Sequence, residues 1–396
     1  MGAQSLSSVT NFVIVALALS AGALDEFGRF SIVFQLCLVV IAVGQGSLGN
    51  IALIHSDQSD AARGPVLSSG LASMALLLGM VLGLGLAVAG LALGGEMRLP
   101  LLLAAVGSPA LVAQYCLRAG YFARGRPQGA LIADAAWLGV VLAVAAVDVS
   151  TGWEPSTNAY LAAWLAGAVV GGAPAIGLGL RFRRSDLIEV WRATGPQTIR
   201  LGAEGMLARS VFVVTLIWAG ILVGDDASGS LAAAVVVFSP LTVVHTSSLA
   251  LVVPGEVRRR GIHVVRRSVP FQVGGSIMVV SALWGLLLWI FDVSGFSFGP
   301  FDLDASEVTL GLFLATLVRF LAMAAWRGPI TALLIADAAG ASLETRFVGT
   351  VVQWSLPAVG FAWWGVEGGA WALAVATWVG AAVAWRRYEK LRIPAG

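Results

Sequence analysis

Residues 181–200 read RFRRSDLIEVWRATGPQTIR, Arg181 to Arg200. Five arginines fall in these twenty positions, close to the midpoint of a chain that is otherwise almost continuously apolar. Of 396 residues, 58% are hydrophobic and 12% charged, against about 25% charged in a soluble domain. Apolar runs of 20 or more residues recur on both sides of the stretch, each sufficient to cross a hydrocarbon core of about 30 Å. The stretch therefore reads as a basic cytosolic connector, 181–198, between two sets of six membrane helices, 1–180 and 199–396. Leu187, Ile188 and Trp191 share one helical face, so a short amphipathic helix lying on the membrane surface is expected within it. The alternative is a plain loop whose arginines only fix topology.

Hydropathy places spans at 3–24, 30–54, 64–93, 100–122, 129–149 and 159–180 in the first half. The second half gives 198–223, 230–253, 268–292, 307–337, 347–366 and 367–385, the last two joined by a tight turn at Val366-Glu367-Gly368-Gly369. The fold class is all-α, a polytopic membrane protein of about 12 transmembrane helices in two six-helix lobes. Basic residues test the arrangement. The even-numbered connections and the carboxyl end hold eighteen, including Arg118, Arg124, Arg126 and Arg346; the odd connections hold two, Arg29 and Arg98. The odd side is acidic instead, with Asp25, Glu26, Glu96, Asp148, Asp225, Asp226 and Glu367 among others. Positive charge stays in the cytosol during insertion, so a multi-pass protein of the cytoplasmic membrane with both termini cytosolic is expected.

A shift of 200 residues brings Phe12-Val13-Ile14 onto Phe212-Val213-Val214 and Asp25-Glu26 onto Asp225-Asp226. Two copies of a six-span unit, running parallel, fit this echo. The amino terminus MGAQSLSSVTNF lacks the basic start of a secretion signal, so the first span is expected to be retained. Cys37 and Cys116 lie within spans, and the three histidines are scattered. Neither a disulfide framework, a metal site nor a cofactor motif is legible. No hydrolase triad or phosphate loop appears either, so an enzyme is not expected.

Charges inside spans carry the functional signal, because a mid-membrane arginine costs roughly 2.5–3.5 kcal/mol on insertion scales. Arg200 and Arg209 fall in span 7, Arg319 and Arg327 in span 10. Against them stand Glu204 and, nearer a span end, Asp134. Arg200 and Glu204 are one turn apart, placed for an in-helix ion pair. Arg319 and Arg327 share a stripe, and Pro329 should kink their helix. Guanidinium groups bind phosphate bidentately and keep their charge, so the four arginines suit a cavity for an anionic headgroup. The bland alternative is snorkelling and structural pairing. Span 1 adds a polar stripe of Gln4, Ser7, Ser8 and Asn11, suited either to sugar hydroxyls or to helix packing. Gly79-xxx-Gly83 and Gly167-xxx-Gly171 read as close helix contacts. Trp363 and Trp364 read as interfacial belt residues, while Trp326 and Trp354 are candidates for stacking on sugars.

The segment AQSLSSVTNFVIVALALSAGALDEFGRFSIVFQL resembles the start of Wzx-type polysaccharide flippases of the MOP exporter superfamily. The likeness rests on Ser7-Ser8, Asn11-Phe12 and Glu26-Phe27-Gly28-Arg29-Phe30. Arg118 to Pro127, followed by Asp134, looks like the connection after span 4 in that family. The resemblance implies a two-lobed, MATE/MOP-like transporter that flips a polyprenyl-diphosphate-linked oligosaccharide by alternating access, for polysaccharide export. Its implied partners are that lipid-linked substrate, membrane lipids and the glycan polymerase or glycosyltransferase machinery; no nucleic acid is implied, and a monomer is expected. The binding residues expected from the in-span charges and the span 1 stripe are Arg209, Arg327, Arg319, Arg200, Glu204 and Asn11. Two other classes remain in view. One is a cation-coupled multidrug exporter of the same superfamily, which should favour buried carboxylates. The other is a polytopic lipid-sugar glycosyltransferase, for which Asp25-Glu26 is the only acidic pair in a first outer loop of about six residues.

Overall fold

A computed structural model describes residues 2–49, 51–52, 64–123, 126–152, 155–173, 184–237, 274–284, 286, 309–335 and 339–390. These residues form α1 (Gly2–Ser20), α2 (Leu24–Gly44), α3 (Gly64–Leu93), α4 (Arg98–Ala123), α5 (Pro127–Thr151) and α6 (Thr157–Gly172). There follow α7 (Arg184–Leu222), α8 (Asp225–Val237), α9 (Gly274–Trp284), α10 (Leu310–Ile335) and α11 (Ala339–Lys390). Among the described residues, seven helices are long and apolar enough to cross a bilayer, and α1 and α9 contribute shorter apolar stretches. The all-helical class stands. The expected connections between 253 and 268 and between 292 and 307 lie outside the described residues.

Two compact units emerge, one of residues 1–22 and 29–210, the other of 23–28 and 211–396. In the first, helices meet through glycine, because only a missing Cβ lets the backbones approach this closely. A Cβ at Gly79 would stand 2.5 Å from Pro109 Cα, and one at Gly83 2.5 Å from Ala105 O. Gly167 and Gly171 admit Trp137 and the Ala133 carbonyl in the same way. Both GxxxG pairs are thus packing devices, α3 on α4 and α5 on α6.

The basic stretch departs from its expected form. From Arg184 it runs in one unbroken helix to Leu222, through Pro196; Arg181 and Arg183 lie outside the described residues. Asp186, Val190, Thr194 and Thr198 form its buried face. Val190 joins a core with Val40 and Ile51 of the α2 region, Leu71 and Met74 of α3, and Val112 and Cys116 of α4. Gly70 accommodates it, since a Cβ there would stand 2.8 Å from Asp186 O. Only Ile188 and Trp191 of the expected apolar face are exposed. The segment packs into the first unit with its buried hydroxyls paired: Thr194 Oγ1 donates to the Val190 carbonyl at 2.8 Å and Thr198 Oγ1 to the Thr194 carbonyl at 2.9 Å, which offsets the cost of burying polar groups.

In the second unit, the two acidic turns related by the 200-residue shift are neighbours. A Cβ at Gly28 would stand 2.8 Å from Asp225 O, and Gly229 abuts the Leu24 carbonyl. The last helix breaks at Trp364 and Gly365 (φ 64°, ψ −152°). The break falls just before the expected turn at 366–369, and Gly360 packs on Gly368 across it. The backbone at Gly365 is one that side chains rarely adopt, and no atom would crowd a Cβ there. Gly365→Ala is therefore expected to cost roughly 1–3 kcal/mol through the backbone alone. Thermal unfolding of the purified variant checks this, and an unchanged midpoint would refute it.

Polar contacts join residues that the charge pattern puts on one side. Arg29 pairs with Glu96 at 2.8 Å, both from odd connections. Tyr160 donates to Asp148, and Thr309 donates to Glu367, again among odd-side positions. Arg387 pairs with Glu344 at 2.8 Å on the even side.

Candidate functional site

The polar centre of the first unit is built from α4 and α5. Gln114 and Arg118 are one turn apart on α4 and face Asp134 of α5. Gln114 Nε2 donates to Asp134 Oδ1 at 3.1 Å. Arg118 Nε stands 3.4 Å from Asp134 Oδ2, both side chains being buried. The Arg118 guanidinium also lies 5.5 Å from the centroid of the Tyr115 ring, a cation–π distance. This corrects the sequence reading of Arg118 as a charge in the connection after span 4. It is a helical, buried residue whose cost in the membrane is offset by Asp134.

Around this pair runs an aromatic network. Tyr115 and Ser7 share a 3.0 Å hydrogen bond between hydroxyls, tying α4 to α1. Tyr115 meets Trp137 edge-on at 6.1 Å, and Trp137 meets Trp164 at 5.2 Å. Trp137 Nε1 donates to the Trp164 carbonyl at 2.8 Å, and Trp164 Nε1 donates to Asn11 Oδ1 at 3.0 Å. The span 1 stripe thus turns into its own unit at Ser7 and Asn11, and the Asn11 oxygen is committed to packing.

Four of the residues expected to bind substrate lie in the first unit. Asn11 is on α1, and Arg200, Glu204 and Arg209 are on α7. Arg200 and Arg209 are exposed, and Glu204 is half-buried. Among the described residues Arg200 has no ion-pair partner, so the expected pair with Glu204 does not form. Arg209 sits mid-span, within electrostatic reach of Tyr115. Among the described residues it too has no ion-pair partner. Arg319 and Arg327 belong to α10 of the second unit, with Pro329 inside the helix. The Arg319 guanidinium lies 5.4 Å from the Phe212 centroid; the Arg327 side chain is outside the described residues.

Arg346, expected in a connection, is instead buried in α11 with its guanidinium 4.7 Å from the Trp326 centroid. Trp326 is buried there against Gly349 and Gly380. It is a packing residue and not a free sugar platform. Trp354 gives its carbonyl to Trp218 Nε1 at 3.0 Å. Sequence reasoning missed Gln114, Tyr115 and Arg118. The signal was there in the four-residue spacing of Gln114 and Arg118, with a carboxylate entering the next span.

No family model matches the chain, and no curated protein matches it. Solved structures do. A MATE transporter in complex with MaL6 aligns with TM-score 0.68 at 13% identity, covering 99% of this chain and 93% of that one. The lipid II flippase MurJ, in an inward closed conformation, aligns with TM-score 0.67 at 9% identity over 98% and 88%. A MOP superfamily transporter from Pyrococcus furiosus, described as having a binding pocket of reverse polarity, gives 0.63 at 14% over 99% and 93%. At these identities the likeness establishes the fold, that of the MATE and MOP transporters.

Proposed function

We propose that this chain is a membrane transporter that flips a polyprenyl-diphosphate-linked oligosaccharide by alternating access. The observation that carries the reading is the sign of the available charge. Arg209 stands in mid-span, exposed and with no ion-pair partner among the described residues, while the buried carboxylate of Asp134 is engaged by Arg118 and Gln114. A cation at that depth is retained when it faces water or an anion, and a diphosphate offers the paired oxygens that a guanidinium binds bidentately. Arg200 and Arg319 add positive charge on the same two spans that the sequence singles out. The fold is shared by exporters and by a lipid II flippase, so it supports a transporter without choosing the cargo.

The second reading, a cation-coupled multidrug exporter, draws on the MATE neighbours. A leaflet-resolved assay of lipid-linked oligosaccharide separates the two. In a depletion strain the inner leaflet should fill with the carrier, and the wild-type chain should empty it. Arg209→Ala is expected to lower flipping by about 10–100-fold, the value of one charge-assisted hydrogen bond, with Arg209→Lys intermediate. Unchanged lipid carriers together with retention of cationic dyes would replace this reading with drug export.

A further inference from the structure

Trp371, Trp378 and Trp385 recur every seven residues in the second arm of α11. Seven residues are nearly two turns, so the indoles climb one face about 10.5 Å apart. Trp364 stands at the break before this arm and packs edge-on against Trp363 with centroids 5.4 Å apart. From Val366, where the second arm begins, to Trp385 is about 28 Å of helix, close to the thickness of a hydrocarbon core. Tryptophan gathers at membrane interfaces, yet Trp371 and Trp378 lie inside the span and are exposed, at 39% and 45%. Val375 and Val379 are exposed between and beside them. Among the described residues, nothing accepts a hydrogen bond from either indole. Trp385 is pinned, its Nε1 donating to the Ala325 carbonyl at 3.0 Å. The face then ends in cations. Arg386 is exposed on the same side as Val375 and Val379, and Arg387 and Lys390 follow.

We infer that this face is a track for an anionic polyprenyl lipid, its isoprenoid tail along the indoles and its phosphate against Arg386. Rigid rings offer large apolar contact at little entropic cost, and a methyl-branched chain meets their faces at many points. The arginine at the ladder's end supplies the complementary charge for a phosphate. This rests on the proposed cargo, since a carrier whose headgroup crosses must keep its tail in the bilayer.

The test is competitive binding to the purified full chain, read by native mass spectrometry, with undecaprenyl phosphate against dioleoyl phosphatidylglycerol. Wild type should prefer the polyprenyl lipid. Trp371→Leu with Trp378→Leu should lower that preference about tenfold, and Arg386→Gln should lower it about threefold. The Trp→Phe pair should keep most of it, with unchanged melting in all variants. Equal binding of the two lipids, or a preference indifferent to the leucine pair, overturns the track. So does a dimer that the leucine pair dissociates without changing lipid preference, since a second copy would then occupy the face. The two proposals fail separately. A chain that prefers undecaprenyl phosphate but flips no oligosaccharide keeps the track and loses the cargo; one that flips normally without lipid preference loses only the track.

Discussion

Arg118→Leu is expected to destabilise the protein by about 3–5 kcal/mol, the largest effect foreseen for a single charge. The substitution leaves Asp134, which is wholly buried, with one amide donor from Gln114 and no cation. A buried carboxylate stripped of its counterion must be desolvated without compensation or take up a proton, and either costs stability. Asp134→Leu should cost a similar amount by stranding the guanidinium. The double replacement, Arg118→Leu with Asp134→Leu, removes both charges and should recover to within about 1–2 kcal/mol of wild type. Unfolding midpoints of the four proteins in one detergent make the cycle. Additive losses in the double variant would show that the pair is not coupled, contrary to its 3.4 Å separation.

Trp164→Ala should cost about 3–5 kcal/mol, in the range of large aromatic deletions from packed cores. Trp164 is among the largest fully buried side chains of the protein. Its ring lies 4.9 Å from that of Phe34 and 5.2 Å from that of Trp137. Three elements, α1, α2 and α5, therefore lose a common contact on truncation. The alanine also strands the Asn11 oxygen, a loss of about 1 kcal/mol beyond the cavity. Trp164→Phe refills most of the space and removes only the indole N–H, so its cost should be near that smaller figure. If the two variants melt together, the hydrogen bond and not the packing dominates the site.

Several of these features were legible before any coordinates. Gly79 and Gly83, or Gly167 and Gly171, announce close helix contact by spacing alone, and the contacts are there. The break near Gly365 followed from length, because about 58 Å of helix exceeds one bilayer crossing. Others were hidden for definite reasons. Arg118 and Arg346 look like loop charges when charge alone decides span boundaries, yet each is enclosed, one by a carboxylate and one over an indole. Arg184 to Thr198 looked like a connector, because a buried face of threonine and aspartate has no hydropathy signature.

What the amino-acid order determined by itself was the solvent, together with an expectation for the direction of each crossing. Apolar length fixes where backbone hydrogen bonds must close on themselves, and the arginine bias fixes the expected sidedness; both are local properties, summed along the chain. What only the tertiary structure decided was the use of each polar group. Whether Asp134 is a free carboxylate or the partner of Arg118 depends on residues 16 and 20 positions away in sequence arriving on a neighbouring helix. Whether Asn11 faces sugar or Trp164 depends on a contact 153 residues distant. Burial and pairing are long-range properties, and in a membrane they determine which charges are left over for a ligand.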